Sequence, residues 1–302
     1  MRGRILGASV LLLFCAACSG EEGNALGNGS STSGDPPSSS GSSGTSGDTP
    51  GSSGTSGTSG TSGTSGSSGS NPGTLAAGKT TKTYSAGGKE RSVLLVVPPS
   101  VTTKKLPLVI ALHGNGDTSQ GFVTVTTKLE SLAGSKDFVL AAPQGIAQTI
   151  TIGSQTINVN WDAYRSTAQG NIDLPLIDAI KEDLLASGSI ESTKVFTFGY
   201  SQGGYLSFRY GMDAAAQVSC TAVLAAANPL GPSLTAGAAR KVPVALQIGT
   251  KDGAIGQARS TKADLEQKQF PLDYHEIENA GHVPVPGDLD VPLDYCLGQT
   301  RP

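Results

Sequence analysis

Short, continuously apolar segments recur beyond about residue 90, and they constrain the fold more than any other feature of the sequence. The segments LPLVIALHG, DFVLAAPQG, TKVFTFGY and VPVALQIGT carry little charge. Such runs are typical of strands that are buried on both faces, as in parallel sheets. Between two of them, NIDLPLIDAIKEDLLASG repeats apolar residues at helical spacing from Leu176 to Leu185. Strands that alternate with helices predict an α/β fold with a mostly parallel sheet covered by helices on both faces.

The remaining segments are assigned by the same two patterns. RSVLLVV, CTAVLAAANP and LDYHEIE are predicted strands. Further helices are predicted over residues 121–133, over QGGYLSFRYGMDAA and GQARSTKADLEQKQF, and over part of residues 288–297.

The N-terminal segment, residues 1–18, predicts an export signal. Two arginines precede an apolar stretch, residues 5–14, that is too short to span a bilayer. Two alanines stand before Cys18, as in a bacterial lipobox, which predicts that Cys18 is lipidated in a lipoprotein of the outer membrane or cell surface. Ordinary cleavage of a secreted protein is the alternative.

Residues 19–78 predict a flexible linker. They are rich in Gly, Ser, Thr and Pro, contain no aromatic residue and include the repeat SGTSGTSGTSGTSG. Such a tract cannot bury enough apolar surface to order itself. A flexible chain of this length has a root-mean-square span of roughly 40–45 Å. We therefore expect a tether that leads to one folded domain, residues 79–302.

The charge and composition of this domain exclude several classes of partner. Two of the 21 basic and four of the 24 acidic residues precede it, so its net charge is near −1. Its Lys and Arg residues are scattered, which argues against nucleic-acid binding. It has neither a Cys/His cluster with metal-ligand spacing nor a phosphate loop, so we expect no metal and no organic cofactor. We expect a monomer that contacts a membrane only through the N-terminal lipid.

The segment GYSQGG, residues 199–204, lies between a predicted strand and a predicted helix. Gly-x-Ser-x-Gly in this context is the pattern of a nucleophile elbow, a sharp turn that exposes the serine. The start of the following helix favours negative charge there. We predict that Ser201 is a nucleophile; an ordinary turn serine is the alternative.

A nucleophilic serine needs a base and an acid that orients the base. Of the three histidines, His282 lies in the loop AGHVP after the last predicted strand and is the predicted base. His113 is predicted to support the loop after its own strand, and His275 to be a strand side chain. Asp252, in IGTKD, is the predicted acid, with capping of the next helix as the alternative. The chain order serine, aspartate, histidine is the one expected for this fold.

Hydrolysis of an ester also needs two N–H donors for the oxyanion. One is predicted to be the backbone N–H of Gln202, directly after the nucleophile. The other is assigned to Asn115 in HGNGD, with Gly114 or Gly116 as alternative donors. A plain turn role for Asn115 is the competing interpretation.

The motifs LHGNGD, FVLAAPQG, FGYSQGGY, IGTKD and AGHVP occur in this order, and with them the chain resembles the α/β-hydrolase superfamily. It is most similar to the extracellular serine esterases that include polyhydroxybutyrate depolymerases, feruloyl esterases and acetylxylan esterases. The resemblance implies an α/β-hydrolase fold, a small or oligomeric ester substrate, and a site lined by NWDAYR with Trp161. Core packing is the alternative for Trp161. The lack of a separate polymer-binding module favours soluble esters or short oligomers.

The sequence therefore predicts an exported serine esterase. An acyltransferase, a peptidase and a non-catalytic surface lipoprotein on the same scaffold remain alternatives. Export also bears on Cys220 and Cys296, because an oxidising compartment allows them to form a disulfide. Two buried thiols are the alternative.

Overall fold

Ten strands are present in the computed structural model, which describes residues 73–285 and 287–302. They are β1 (Gly78–Ala86), β2 (Lys89–Val97), β3 (Leu106–Leu112), β4 (Val139–Pro143), β5 (Gln148–Ile152), β6 (Gln155–Val159), β7 (Ile190–Tyr200), β8 (Cys220–Leu224), β9 (Val244–Gly249) and β10 (Leu272–Ile277). The predicted signal, Cys18 and nearly all of the predicted linker lie outside the described residues.

Eight of these strands form the central sheet, in the order β1-β2-β4-β3-β7-β8-β9-β10. β2 is antiparallel to both of its neighbours, and every pairing from β4 to β10 is parallel. β5 and β6 form a separate antiparallel hairpin. The mostly parallel sheet predicted from the apolar runs is confirmed.

Helices lie in the connections between the strands. They are α1 (Ser119–Gly121), α2 (Leu129–Ser135), α3 (Leu174–Ala186), α4 (Gln202–Asp213), α5 (Pro232–Gly237), α6 (Ile255–Gln267) and α7 (Asp290–Leu297). The helix predicted within NIDLPLIDAIKEDLLASG is α3, and Gly188, with φ +73°, follows its end. This left-handed conformation suits glycine at a helix C-terminus.

The side chains of β3 alternate between two hydrophobic cores. Leu108, Ile110 and Leu112 pack on the face that α3 and α4 cover. Val109 and Ala111 pack on the opposite face, against α2 and α7. Both faces of this strand are buried, which explains its continuously apolar sequence. Complete burial of one such Leu or Ile side chain stabilises the fold by about 1.5–3 kcal/mol.

Several features differ from the sequence prediction. β1 and the β5–β6 hairpin were not predicted, and the helix predicted over residues 121–133 is interrupted. There, a π-helical turn, Phe122–Thr126, is followed by Lys128 in the left-handed region with φ 55°, and α2 starts only at Leu129. The strand predicted from CTAVLAAANP ends at Leu224, because Ala225 also has a positive φ of 48°.

A disulfide joins Cys220, at the start of β8, to Cys296 in α7, with a Cα–Cα distance of 5.4 Å. It links α7 covalently to β8 of the central sheet. In the described parts of the chain, none of the helices has the length and apolar character that crossing a membrane requires.

Candidate active site

Ser201 occupies the turn between β7 and α4. Its backbone has φ 51° and ψ −119°, a conformation that non-glycine residues rarely adopt. The Ser201 N–H donates to the carbonyl oxygen of Leu224 at 2.9 Å, and its own carbonyl accepts from the N–H of Tyr205 at 2.9 Å. These bonds fix the strained turn between β8 and the first turn of α4.

The glycines on either side of Ser201 are required by close backbone contacts. A Cβ on Gly199 would lie 2.1 Å from the carbonyl oxygen of Gly203, and a Cβ on Gly203 would lie 2.1 Å from that of Leu112. Both contacts are with backbone, which cannot rotate away. The Gly-x-Ser-x-Gly spacing therefore lets the turn pack against the end of β3.

His282 lies in the loop after β10 and contacts Ser201 and Asp252. Its Nε2 is 2.8 Å from Ser201 Oγ, and its Nδ1 is 2.9 Å from Asp252 Oδ2. With the Nδ1–H donated to the carboxylate, Nε2 is free to accept the serine proton. The structure thus brings together the three residues that the sequence placed on separate loops.

Asp252 is the buried end of this chain of contacts. Its side chain is 1% exposed, whereas that of His282 is 38% exposed. Asp252 Oδ1 also accepts from the N–H of Ala254 at 2.8 Å, so this residue caps the local turn as well as contacting the histidine. Nearby, the N–H of Lys251 donates to the carbonyl oxygen of Ala280 at 2.8 Å and joins the two loops.

The loop after β3 lies beside Ser201. A Cβ on Gly114 would be 3.7 Å from Ser201 Cβ. Within residues 73–285 and 287–302, the backbone N–H groups of Asn115 and Gln202 donate to no protein acceptor, so both are available to a ligand. The N–H of Gly116 is not available, because it donates to Asn160 Oδ1 at 2.6 Å.

His113 is buried behind this loop as a neutral imidazole. Its Nδ1–H donates to the carbonyl oxygen of Gly114 at 2.7 Å, and its Nε2 accepts from the N–H of Gly145 at 2.9 Å. Burial lowers the pKa of His113 below its ordinary value of 6.5. The third histidine, His275, contacts Asp273 on β10 at 2.9 Å.

Trp161 has no exposed surface, which corrects the prediction that it lines the site. Its indole N–H donates to the carbonyl oxygen of His113 at 2.8 Å, and the two rings pack with centroids 5.1 Å apart. Trp161 therefore takes the alternative role of core packing, directly beneath the loop that carries Asn115.

Sequence reasoning missed the polar contacts of Asn160 and of the Gln202 side chain. The N–H groups of Asn160 and Trp161 both donate to Gln202 Oε1, at 2.6 and 2.9 Å. No sequence pattern marks an amide side chain that binds a distant backbone group.

The described residues include no group of three or more His, Cys, Asp or Glu side chains arranged to hold a metal ion. Acyl transfer requires a serine hydrogen-bonded to an imidazole, a carboxylate that binds the imidazole, and backbone N–H groups that are free to bind an oxyanion. This site contains all of these groups.

Comparison with known families agrees with this geometry. The family described as Phospholipase/Carboxylesterase matches residues 94–283, more than half of the chain. The chain belongs to this family. Its members share the α/β-hydrolase fold seen here.

One curated relative is the bifunctional acetylxylan esterase/xylanase XynS20E of Neocallimastix patriciarum. It is 28% identical over 160 residues, which cover 53% of this chain and 21% of the relative. The chain thus matches about a fifth of the length of that protein.

Solved structures show the same fold at low sequence identity. S-formylglutathione hydrolase of Staphylococcus aureus superposes with a TM-score of 0.55, at 12% identity, over 73% of this chain and 99% of its own. The poly(3-hydroxybutyrate) depolymerase LpqC of Bordetella parapertussis gives 0.50, at 14% identity, over 68% and 85%. A feruloyl esterase module of Clostridium thermocellum gives 0.51, at 14% identity, over 68% and 82%. The resemblance to this group of esterases is confirmed.

Proposed function

We propose that the protein is an exported serine esterase that uses Ser201, His282 and Asp252 as a catalytic triad. The observation that carries the proposal is the continuous series of contacts from Asp252 Oδ2 through His282 to Ser201 Oγ, at 2.9 and 2.8 Å. Hydrogen-bond distances of this kind, with the base oriented by a third group, characterise an activated nucleophile.

In this mechanism Ser201 Oγ attacks the ester carbonyl carbon while His282 Nε2 takes its proton. Asp252 stabilises the imidazolium that results and holds His282 in the Nδ1–H tautomer. The N–H groups of Gln202 and Asn115 donate to the oxyanion of the tetrahedral intermediate. The intermediate collapses to an acyl-enzyme, and the alcohol leaves with the proton from His282. Water then attacks the acyl-enzyme with the same base, which releases the acid and restores Ser201.

Acetyl, feruloyl and hydroxybutyrate esters are the proposed substrates. The names of the sequence relative and of two structural neighbours, an acetylxylan esterase/xylanase, a poly(3-hydroxybutyrate) depolymerase and a feruloyl esterase module, support these three classes. Acetyl esters come first, because the acetylxylan esterase/xylanase matches this chain by sequence, at 28% identity over 160 residues. We place the enzyme outside the cytoplasm, held to a membrane by lipid on Cys18 or secreted.

The test is hydrolysis of 4-nitrophenyl acetate together with labelling by a fluorophosphonate, followed by intact mass. Ser201→Ala should abolish the adduct and lower kcat by about 10⁴-fold or more, because the nucleophile is lost. Asp252→Asn should lower kcat by about 10⁴-fold while the fold is retained, because the wrong tautomer of His282 is then favoured.

His282→Ala should abolish both labelling and turnover. The matched control is His275→Ala, which removes a histidine on β10 that pairs with Asp273; it should keep wild-type activity. Serine-independent turnover would refute the triad, and the absence of an adduct on folded wild-type protein would favour a non-catalytic surface lipoprotein.

A further inference from the structure

The segment of Asn160 and Trp161 joins the two sides of the proposed oxyanion site. On the elbow side, both backbone N–H groups donate to Gln202 Oε1, at 2.6 and 2.9 Å. Gln202 is buried; its bond with the Trp161 N–H is also buried, and its bond with the Asn160 N–H is partly buried. Gln202 is therefore bound to this segment through its side chain, while its backbone N–H stays free.

On the other side, the same segment binds the loop after β3 at two points around Asn115. Asn160 Oδ1 accepts from the N–H of Gly116 at 2.6 Å, and the Trp161 indole N–H donates to the carbonyl oxygen of His113 at 2.8 Å. Asn115 itself is exposed, and Gly116 has φ +79°. Within the turn, the Gly114 carbonyl oxygen accepts from the Asp117 N–H at 3.3 Å and from His113 Nδ1 at 2.7 Å. The Asn160 contact adds a bond to the N–H of Gly116, directly after Asn115.

The bridging segment is itself anchored in the core. The N–H of Asp162 donates to Asp173 Oδ2 at 2.7 Å, and Asp173 Oδ1 accepts from Arg91 Nη2 at 2.5 Å. The side chains of Asp173 and Arg91 are both fully buried. Asn160 thus extends from a rigid part of the molecule to an exposed turn.

We propose that Asn160 is a positioning residue that holds the Asn115 N–H in line with the Gln202 N–H, and that the Gln202 side chain fixes Asn160 to the elbow. The proposal rests on the proposed function, because it assumes that these two N–H groups bind the oxyanion. Donors must be placed within hydrogen-bonding distance of the oxyanion before it forms. A displacement of about 1 Å can lower the rate about 100-fold.

The decisive variant is Asn160→Ala, and the matched control is Asn158→Ala. Asn158 is an exposed asparagine two residues earlier, and its Oδ1 accepts from Thr149 Oγ1 within the hairpin, at 2.9 Å. We expect Asn160→Ala to lower kcat for 4-nitrophenyl acetate by about 10- to 100-fold, with KM changed less than about threefold. Asn158→Ala should match the wild type in both parameters.

A second measurement separates positioning from a general loss of structure. A trifluoromethyl ketone forms an adduct with serine that carries an oxyanion, so its affinity should fall by the same factor as kcat/KM in Asn160→Ala. Each kcat is divided by the fraction of protein that saturating fluorophosphonate labels, which removes misfolded molecules from the comparison. An inhibitor affinity that stays at the wild-type value would overturn the proposal.

Gln202→Met supplies an independent variant, because it removes the acceptor of both N–H groups and keeps the backbone N–H of residue 202. It should likewise lower kcat while KM changes little. In the double variant of Asn160→Ala with Gln202→Met, kcat should lie within about twofold of the kcat of the slower single variant, as expected for groups that act as one unit. Equal kcat in Asn160→Ala and Asn158→Ala would reject the positioning role. Failure of the proposed function would look different, since Ser201→Ala would then retain turnover or the wild type would have none.

Discussion

Ser201 shows how a single residue combines strain with accessibility. A non-glycine residue in such a conformation costs about 1–3 kcal/mol, and the surrounding bonds must maintain it. Gly199 and Gly203 make the turn sterically feasible, so this part of the site could be predicted from the sequence. The role of Asn160 could not be predicted, because its partners, the backbone N–H of Gly116 and the side chain of Gln202, are far away in the chain and no sequence pattern marks them.

The buried imidazole of His113 should make the stability of the protein depend on pH. Its pKa is lowered by burial, so below about pH 6.5 the unfolded chain takes up a proton that the folded protein does not. The free energy of unfolding should therefore fall as the pH decreases from 7.5 to 5, by at most about 1.4 kcal/mol per pH unit from this residue.

The measurement is the urea midpoint at several pH values for the wild type and for His113→Asn. The variant should be less stable at pH 7.5, because the bond from the Gly145 N–H is lost, and its stability should depend less on pH below 6.5. If His113 were protonated in the folded state, the stability of the wild type and that of the variant would depend on pH in the same way.

At the scale of elements, the buried strands were predictable and the exposed ones were not. β1 has a single buried residue, Tyr84, and its sequence GKTTKTYSA contains no apolar alternation. It is held by backbone pairing to β2 and by ion pairs from Lys79 and Lys82, none of which is visible in a hydrophobic pattern. The hairpin of β5 and β6 likewise buries a single residue in each strand, Ile150 and Val159.

The disulfide between β8 and α7 gives a prediction for an element. It closes a loop with a sequence separation of 76, and the entropy of that closure corresponds to about 4 kcal/mol. The double variant Cys220→Ala with Cys296→Ala should lose stability of this order in urea unfolding, while the wild type without reductant keeps it. Because α7 begins soon after the loop of His282, backbone hydrogen exchange in the double variant should become faster both in α7 and in that loop. If the urea unfolding curves of the wild type and the double variant coincide, the packing of α7 stabilises the protein without help from the disulfide.

On the scale of the whole molecule, the proposed site is assembled from the carboxyl ends of parallel strands. The loops after β3, β7, β9 and β10 carry Asn115, Ser201, Asp252 and His282. Loops at this edge of an α/β sheet gather in one place, which is why strand order alone predicted that these residues meet. Asn160 enters from the β5–β6 hairpin, an insertion between β4 and α3 that strand order does not anticipate.

The N-terminal segments predict where this molecule works. If Cys18 is lipidated, cells fed an alkyne analogue of palmitate should yield labelled protein in the membrane fraction. Cys18→Ala should abolish the label, and the matched control Cys15→Ala should retain it, because Cys15 lies three residues before the predicted modification site. Unlabelled wild-type protein in the culture medium would instead identify a secreted enzyme, for which residues 19–78 serve no anchoring purpose.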